Sequence, residues 1–508
     1  MFSFLMTSPT TSRSFSDFWT ALGHFLPLSS DPPPPPEQPR GAPQPLEEPL
    51  LLSLQQILKP EQIRHDPDTL SAYAGGYGYP GFIRRQSERP APAAVVFPEN
   101  DREIAALMQW VAQREIQLLP WGGGADPYGV KQEATGPFLV VALERMNHIA
   151  QPDPETGQLH VEAGTRWSAV EQSLADTPLT TGQFFPSTAM TLGGSIASNT
   201  PGVKTLTYRP LMEILSQIRA VCPSGPFELQ RPWPGMPDER SLMLGSHGTW
   251  GIITRVTLRL LRKPQERQRL VASFPSWPAA LAALRSMLGD EGEPTSAQII
   301  TGREVSIFNA TLSPKWKQLL RSVRGGLASS GKIYLMLELA GHPRLVNDKK
   351  HRVEEILHAA EAQTENHKKL PLPATGPHSS RQEWLEQLWR RNMLADTFTA
   401  FIPWPQASKF LRDWEEALTS ILQATGEAQA LPLTTIYATA EYAQINTLII
   451  GRQAAGGVQA HQTQLESIQE VARETQQRWG GAARPSPLAA RAITAAEMSL
   501  DPDGIMLR

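Results

Sequence analysis

Short apolar runs alternate with amphipathic stretches in the first half of the chain. Residues 94–99, AVVFPE, predict a strand, and Asn100 or Asp101 is expected to cap the helix that follows. The apolar residues of that helix recur at helical spacing: Ile104, Leu107, Met108 and Val111. The next apolar run, QLLPW, predicts a strand that leads directly into three consecutive glycines. This order delivers backbone N–H groups to a strand end, where phosphate groups commonly bind.

Two hairpins and a second helix follow. The first hairpin is expected to turn at residues 153–157 and the second at residues 224–225. Between them, residues 165–176 predict a helix capped by Thr165. Short strands and hairpins with intervening helices over residues 90–262 are an α+β pattern rather than a regular βαβ repeat.

The second half of the chain has a different pattern, in which strand-like pieces alternate with longer helical runs. The strand-like pieces are residues 296–301, 332–340 and 433–450. The helical runs are residues 277–289, 347–363, 380–394, 406–424 and 463–479. This pattern predicts a second domain built on a mixed sheet with helices on one side.

The N-terminal region differs from both halves. Residues 31–49 are rich in proline and predict an extended, semi-rigid linker. Upstream, four apolar residues form one helix face: Phe15, Phe18, Trp19 and Leu22. Two interpretations stay open: a helix over residues 14–26 that docks on a protein partner or a membrane surface, or a poorly ordered tail over residues 1–50. We expect neither a signal peptide nor a transmembrane helix.

Composition narrows the function classes. A formal net charge of −3 over 508 residues, without a basic stripe, argues against a nucleic-acid partner. Cys222 is the one cysteine, which excludes internal disulfides and iron–sulfur clusters held by cysteines alone. A single cysteine fits a reducing compartment, so a cytoplasmic location is expected. The histidines of the second half lack metal-ligand spacing, so no metal is expected.

Four glycine-rich stretches are candidate ligand sites. GYGYPG at residues 76–81 matches G-x-G-x-x-G, but no buried strand precedes it and Pro80 would break the required helix, so we reject it. The other three are PWGGGADPYG at 120–129, PSTAMTLGGSIASNTPG at 186–202 and GSHGTWGIIT at 245–254. Their glycines permit close backbone approach to a ligand, and two of them add hydroxyl groups that can bind phosphate.

These three stretches, with the hairpins between them, resemble the FAD-binding PCMH-type (vanillyl-alcohol oxidase type) flavoprotein family. Within it, the chain is most similar to the branch of glycolate oxidase, D-lactate dehydrogenase and alkyldihydroxyacetonephosphate synthase. The resemblance runs from about Pro90 to Pro264 and includes PAAVVFPENDREI, HVEAGTRWSAVEQSL and LGSHGTWGIIT. Weaker resemblances lie in ADTFTAFIPW at 395–404 and in the closing DPDGIM.

The resemblance implies a domain organisation. A two-subdomain FAD-binding domain is expected over residues 51–264, and a mixed α/β cap or substrate domain over residues 265–508. The C-terminal segment is expected to return to the FAD-binding domain.

The resemblance also implies that all three stretches hold FAD without a covalent bond. Expected at the pyrophosphate are Pro120, Trp121, Gly122, Gly123 and Gly124. Expected at the pyrophosphate and ribityl chain are Pro186, Ser187, Thr188, Thr191, Leu192 and Gly193, with Ala197, Ser198 and Asn199 near the flavin ring and its phosphates. Expected at the adenosine or the flavin carbonyls are His247, Gly248, Thr249, Gly251, Ile252 and Ile253. The alternative for each is an ordinary tight turn.

The chain departs from the family pattern at several positions. Asp126 puts a carboxylate where the family has small hydroxyl residues, and it would repel a phosphate. His247 stands where the family has Glu, and when protonated it could offset such a negative charge. Residues 480–493 contain no His, Asp or Glu, whereas the family has histidine-rich motifs there.

Candidate catalytic residues come from the second half. Tyr437 and Tyr442 could line a substrate pocket, and Arg390 could bind an anion, as could Arg381 and Arg391. Trp404 could cover the flavin ring. The alternatives are core packing for the tyrosines and a solvated surface for the arginines.

The resemblance implies an FAD-dependent oxidoreductase that acts on a small 2-hydroxy acid or a related alcohol. Electrons would then pass to oxygen, a quinone or another protein. One alternative is a synthase-like flavoenzyme that acts on an acylated ketone phosphate and needs no electron acceptor. Another is a catalytically degenerate flavin-fold subunit that serves as a scaffold.

Overall fold

The computed structural model describes most of the chain after residue 45. The described residues are 46–73, 92–125, 136–185, 189–200, 202, 206, 210–305, 331–365, 388, 390–424, 431–452, 498–506 and short helical pieces between 463 and 496. The predictions for residues 14–26, 76–81, 186–188 and Asp126 therefore lie outside the described residues. The chain divides into two compact units, the first within 37–202, 209–263 and 484–508, and the second within 203–208 and 264–483.

The first unit combines short helices with three small sheets. Its helices are α1 (Glu48–Leu54), α2 (Pro67–Tyr73), α3 (Asp101–Ala112), α4 (Trp167–Ser173), α5 (Leu192–Ala197) and α6 (Leu211–Ile214). Its strands are β1 (Ile63–Arg64), β2 (Ala94–Val96), β3 (Gln117–Trp121), β4 (Phe138–Ala142), β5 (Gln158–Glu162), β6 (Leu179–Thr180), β7 (Leu215–Cys222), β8 (Gly225–Gln230), β9 (Ile252–Arg259) and β10 (Leu261–Arg262).

The strand that ends at the glycine loop lies in a four-stranded sheet of order β1-β2-β4-β3. Strands β2, β4 and β3 are parallel, and β1 is antiparallel to β2. All five residues of β4 are buried, as expected for a central parallel strand covered on both faces. The edge of β3 is covered by the C-terminal segment, because Leu118 N–H donates to the Ile505 carbonyl at 2.7 Å.

The second sheet of this unit is antiparallel, with order β5-β9-β7-β8. The predicted hairpin turn at residues 224–225 is confirmed, since β7 and β8 pair from Cys222 and Gly225 onwards. Strands β6 and β10 form a two-stranded ribbon. One apolar core joins the two larger sheets and includes Ile505 and Met506.

The structure confirms one of the two predicted helix caps. Asn100 caps α3, since its side chain accepts from the Glu103 N–H at 3.0 Å. The prediction that Thr165 caps α4 is wrong, because the cap is Arg166. The Thr165 backbone serves another purpose: its carbonyl accepts from the Leu192 N–H at 2.9 Å and so holds the start of α5.

The second unit is a sheet covered by helices on one face. Its helices are α7 (Trp277–Met287), α8 (Pro343–Ala359) and α9 (Trp404–Ala424). Its strands are β11 (Glu266–Phe274), β12 (Ser296–Thr301), β13 (Ile333–Gly341), β14 (Gln363–Glu365), β15 (Met393–Pro403), β16 (Leu431–Ala438) and β17 (Tyr442–Arg452). The strand order is β14-β11-β13-β12-β16-β17-β15.

Every pairing among these described strands is antiparallel, so the prediction of a mixed sheet was wrong. The strand-like piece predicted over residues 433–450 is a hairpin of β16 and β17. Its turn contains no Gly, Pro, Asn or Asp and is closed by Thr439, whose hydroxyl donates to the Tyr442 carbonyl at 2.7 Å. The predicted helix over residues 380–394 overlaps β15, which already begins at Met393.

Candidate functional site

The glycine loop after β3 is held closely against the segment that precedes α5. A Cβ atom added to Gly123 would lie 1.5 Å from the Ala189 carbonyl oxygen, and one added to Gly122 would lie 2.4 Å from Thr191 Oγ1. Gly124 has a φ of +61°, and the loop there turns back onto the Trp121 ring. Side chains are therefore excluded from this loop, and its backbone is the surface that a ligand could meet.

The start of α5 is fixed by its own neighbours. Thr191 caps the helix by accepting from the Gly194 N–H at 3.2 Å, and the Gly193 N–H donates to the Ala163 carbonyl at 2.8 Å. With the Leu192 N–H already bound to Thr165, the first N–H groups of this short helix all have partners within the protein. A ligand at this place must be held mainly by other donors.

The third glycine segment completes the cluster. The His247 N–H donates to the Ala197 carbonyl at 2.8 Å, and a Cβ on Gly248 would lie 3.0 Å from Pro120 Cγ. His247 and Asn199 both adopt left-handed backbone conformations, with φ of +50° and +47°. The third segment therefore touches both of the others, and the three meet at the end of β3.

The residues at the end of the third segment have different environments. Gly251 allows the chain to pass close to β7, since an added Cβ would lie 2.7 Å from the Val221 carbonyl oxygen. Ile252 and Ile253 begin β9 and are buried in the apolar core. Thr249 closes the turn through a hydroxyl that donates to the Ser246 carbonyl at 2.7 Å.

The seven-stranded sheet of the second unit has one largely apolar face and an opposite face that mixes polar with apolar side chains, called the polar face below. Ile299, Ile436 and Ile445 belong to the core under helices α7 to α9. Because side chains alternate along a strand, the residues next to them project from the opposite face. There Tyr437 is paired in register with both Gln298 and Gln444 on the two neighbouring strands. These three side chains form a polar row across β12, β16 and β17.

Glu304 adds a carboxyl group to this polar face. It is fully buried, accepts from the Thr435 hydroxyl at 2.9 Å, and accepts from the Thr301 N–H at 2.5 Å. Burial raises its pKa to about 7. Burial, together with the charge of Glu304, raises the pKa of Tyr437 well above its usual value, so this tyrosine stays protonated and can donate a hydrogen bond at neutral pH.

Two segments of the chain match known family models. Residues 92–228 match the model described as FAD binding domain, and residues 263–439 match the model described as FAD linked oxidases, C-terminal domain.

The chain belongs to the FAD-linked oxidases.

Individual relatives agree with this family. The chain is 29% identical to D-2-hydroxyglutarate dehydrogenase of Xanthomonas citri pv. viticola, over 47% of this chain and 51% of that protein. It is 25% identical to alkyldihydroxyacetonephosphate synthase of Dictyostelium discoideum, over 56% of this chain and 46% of that protein. The chain thus spans about half the length of these relatives. A solved alkyldihydroxyacetonephosphate synthase structure superposes with a TM-score of 0.78 at 19% identity, covering 98% of this chain and 96% of that one.

The glycine cluster of this FAD-linked oxidase fits the anionic cofactor of its family. Among the described residues, the N–H groups of Gly122, Gly123 and Gly124 donate to no protein acceptor. The described parts of the three segments contain no carboxylate. The Thr165 hydroxyl is also buried without a partner in the described part of the chain. Unpaired donors that lie together suit a pyrophosphate.

The structure therefore brings together most of the predicted FAD contacts. Residues 120–124, 191–193, 197–199 and 247–251 belong to one cluster in the first unit. Ile252 and Ile253 adjoin it, but their side chains lie in the core. Pro186, Ser187 and Thr188 are outside the described residues, as is Asp126. Individual contacts with FAD stay predictions.

The predicted catalytic residues divide into two groups. Tyr437 and Tyr442 both lie on the polar face of the sheet, and Tyr442 packs edge-on against Phe401 with ring centroids 5.5 Å apart. Arg390 precedes β15 at its other end. Gln444, which pairs with Tyr437, pairs on its other side with Phe401 of β15. Phe401 lies roughly 27 Å along β15 from Met393, the first residue of that strand. The structure does not bring Arg390 together with the two tyrosines.

The other residues predicted to line the substrate or flavin site have partners nearby or lie outside the described residues. The Trp404 indole donates to the Thr439 carbonyl at 3.0 Å and so supports the β16–β17 turn. Burial lowers the pKa of Arg391. Arg381 is outside the described residues. The described residues include no group of three or more His, Cys, Asp or Glu that could hold a metal ion, and no described helix is long and apolar enough to cross a membrane.

Sequence reasoning missed Glu304 on the polar face. It lies in TGREV, a stretch without any glycine or hydroxyl motif that signals a ligand. Its burial and its bond to Thr435 depend on the pairing of β12 with β16, which joins residues more than a hundred positions apart. A single sequence carries no signal for that pairing.

Proposed function

We propose that this chain is an FAD-dependent oxidoreductase that oxidises the C–OH group of a small 2-hydroxy acid or a related alcohol. The observation that carries the proposal is the glycine cluster, in which the N–H groups of Gly122, Gly123 and Gly124 have no acceptor among the described residues. The substrate class is proposed from the D-2-hydroxyglutarate dehydrogenase to which the chain is similar. Because no histidine belongs to the described glycine loop, the proposed FAD is bound non-covalently.

The reaction requires a hydride acceptor, a proton acceptor and groups that hold the substrate oxygens. Oxidation of a 2-hydroxy acid to a 2-oxo acid removes a hydride from the carbon and a proton from the hydroxyl group. FAD, when bound, supplies the hydride acceptor. The chain must accept the proton and hold the substrate oxygens.

The polar face of the seven-stranded sheet offers groups that can accept the proton and hold the substrate oxygens. The Glu304 carboxyl, with a pKa of about 7, can be deprotonated at neutral pH and is the proposed proton acceptor. Tyr437 stays protonated and is the proposed hydrogen-bond donor to a substrate oxygen. Gln298 and Gln444, in register with Tyr437, add amide donors and acceptors. Tyr442 is proposed to line the same site.

Anaerobic reduction of the bound flavin tests this proposal. The purified protein is mixed without oxygen with both enantiomers of several 2-hydroxy acids, and loss of the visible flavin band is recorded. At least one acid is expected to bleach the flavin. Tyr437→Phe is expected to slow bleaching by about tenfold or more while retaining FAD. Tyr334→Phe, a buried tyrosine on the same face but on β13, is the matched control and should bleach at the wild-type rate.

A panel in which no hydroxy acid or simple alcohol bleaches the flavin would contradict the oxidoreductase proposal. A synthase-like activity on an acylated ketone phosphate is the second candidate, favoured by the similarity to the Dictyostelium synthase. It predicts product formation without any external electron acceptor. A cytoplasmic location and docking of residues 14–26 on a protein partner or a membrane surface stay proposals.

A further inference from the structure

Helix α4 carries a carboxylate with an unusual set of partners. Glu171 accepts from the Thr180 hydroxyl at 2.9 Å, from the Thr181 N–H at 2.8 Å and from the Thr181 hydroxyl. No lysine or arginine in the described part of the chain pairs with it. Three donors from two adjacent residues therefore converge on one charged group, and such charge-assisted bonds are stronger than neutral ones.

The hydroxyl groups of Thr180 and Thr181 also bind the backbone of the next two residues. The Thr180 hydroxyl oxygen accepts from the Gly182 N–H at 3.1 Å, and the Thr181 hydroxyl oxygen accepts from the Gln183 N–H at 3.1 Å. Residues 180–183 are thus wrapped around the Glu171 carboxylate. A change in the backbone conformation of residues 180–183 would therefore break several hydrogen bonds at once.

Trp167, on the same face of α4, contacts residues that follow later in the chain. Trp167 is four residues before Glu171 and so lies beside it on the helix. Its ring packs against Phe185 with centroids 5.0 Å apart, and its indole N–H donates to Ser195 Oγ at 2.8 Å. Phe185 directly precedes residues 186–188, and Ser195 lies in α5. Helix α4 therefore fixes the chain on both sides of a segment predicted to contact FAD.

We propose that Glu171 is a positioning residue for FAD. By holding Thr180 and Thr181, it sets the path of residues 180–185 into the predicted cofactor segment 186–188. Because residues 180–185 are already held in place, less conformational freedom is lost when the cofactor binds, so the affinity rises. The proposal concerns FAD affinity alone and does not depend on which substrate is oxidised.

The test measures FAD affinity and protein stability in parallel. Apoprotein is titrated with FAD while flavin fluorescence is recorded, and its thermal unfolding is measured without FAD. Glu171→Gln keeps the shape of the side chain but removes its charge and half of its acceptor capacity. It is expected to raise the Kd for FAD by about tenfold.

Asp153→Asn is the matched control in the same unit. The Asp153 carboxylate likewise accepts from a backbone N–H, that of Glu155 at 2.9 Å, and from a threonine hydroxyl, that of Thr156 at 2.6 Å. It closes the turn of a hairpin instead of leading into a glycine segment. This variant is expected to lose stability by a similar amount and to keep the wild-type Kd for FAD.

Variants of Thr181 keep the proposal testable if Glu171→Gln folds poorly. Thr181→Ser retains the hydroxyl group and should bind FAD like the wild type, whereas Thr181→Val should weaken binding. The double variant Glu171→Gln/Thr181→Val should be no weaker than the poorer single variant, because both remove the same contact. Wild-type affinity in both Glu171→Gln and Thr181→Val would overturn the proposal. So would a loss of affinity in Asp153→Asn equal to that in Glu171→Gln.

Discussion

At the scale of single residues, the absence of a side chain matters as much as any functional group. Gly123 lies so close to the Ala189 carbonyl that no Cβ can be accommodated without moving the backbone. That contact joins the glycine loop to the segment before α5. The geometry of the proposed FAD site therefore depends on residues that contribute only their backbone.

We predict that Gly123→Ala separates these two segments. The added methyl group forces a backbone shift, and overpacking of this kind costs typically about 1–3 kcal/mol. Flavin content after purification and the thermal midpoint should both fall. Gly136→Ala is the control, since its added Cβ would meet nothing closer than 4.0 Å. Equal flavin content in the two variants would contradict the prediction.

Glu304 makes the stability of the protein depend on pH. Its pKa rises from the usual 4.5 to about 7 through burial. Because the folded value exceeds the unfolded one, the folded protein holds more protons between these values, and stability falls as the pH rises from about 4.5 to about 7. The full cost is about 3.5 kcal/mol, since the pKa rises by about 2.5 and one pKa unit corresponds to about 1.4 kcal/mol.

Glu304→Gln should remove this cost. The variant is predicted to be more stable than the wild type at about pH 8, and the advantage should vanish near pH 5, where the wild-type carboxyl group is neutral. Urea unfolding at both pH values measures the difference. Glu338→Gln, which removes a carboxylate paired with Arg267 and Arg269, should be destabilising at about pH 8. An advantage of Glu304→Gln that is the same at both pH values would be inconsistent with this account.

At the scale of secondary structure elements, the C-terminal segment completes a sheet formed much earlier in the chain. It covers the open edge of β3, where Met506 forms a parallel bridge with Leu118. Asp501 stabilises the segment by accepting from the Ile505 N–H at 2.9 Å and the Met506 N–H at 3.2 Å. Since β3 ends in the glycine loop, this covering also supports the proposed cofactor site.

Removal of residues 505–508 should destabilise the first unit. It eliminates the buried Ile505 and Met506 side chains, and each buried side chain of this size is worth about 2–5 kcal/mol. The thermal midpoint and the flavin content are expected to fall together. Removal of residues 507–508 alone should leave both unchanged. Similar behaviour of the two truncated proteins would rule out this role of the C-terminal segment.

The sequence predicted elements well where local patterns determine them. The Asn100 cap, α3 and the β7–β8 turn depend on residues close together in the chain, and all were found as predicted. The β16–β17 turn was missed because Thr439 closes it without the usual turn residues. The antiparallel sheet of the second unit was misjudged because strand direction depends on pairings between distant segments.

The candidate site was predictable to a similar extent. The glycine segments could be identified because close backbone approach requires glycine and leaves a pattern in the sequence. Glu171 and Glu304 could not, since an isolated glutamate has no such pattern and acquires its role from tertiary neighbours. Their partners, Thr181 and Thr435, are equally ordinary in sequence.

At the scale of the whole molecule, the chain consists of two units with separate cores. The first unit contains the three glycine segments, helix α4 and the C-terminal segment. The second contains the sheet with the polar row around Tyr437. The predicted boundaries at residues 51–264 and 265–508 stay predictions, and residues 484–508 belong to the first unit.

The visible spectrum of the protein, purified without added flavin and recorded before and after heat denaturation, tests the central claim most directly. The account predicts a flavin band that remains with the folded protein and passes into the supernatant on denaturation, as expected for FAD held without a covalent bond. A colourless protein that also fails to bind added FAD would contradict it. In that case the glycine cluster would be a remnant of the family site, and the chain would be a non-catalytic subunit.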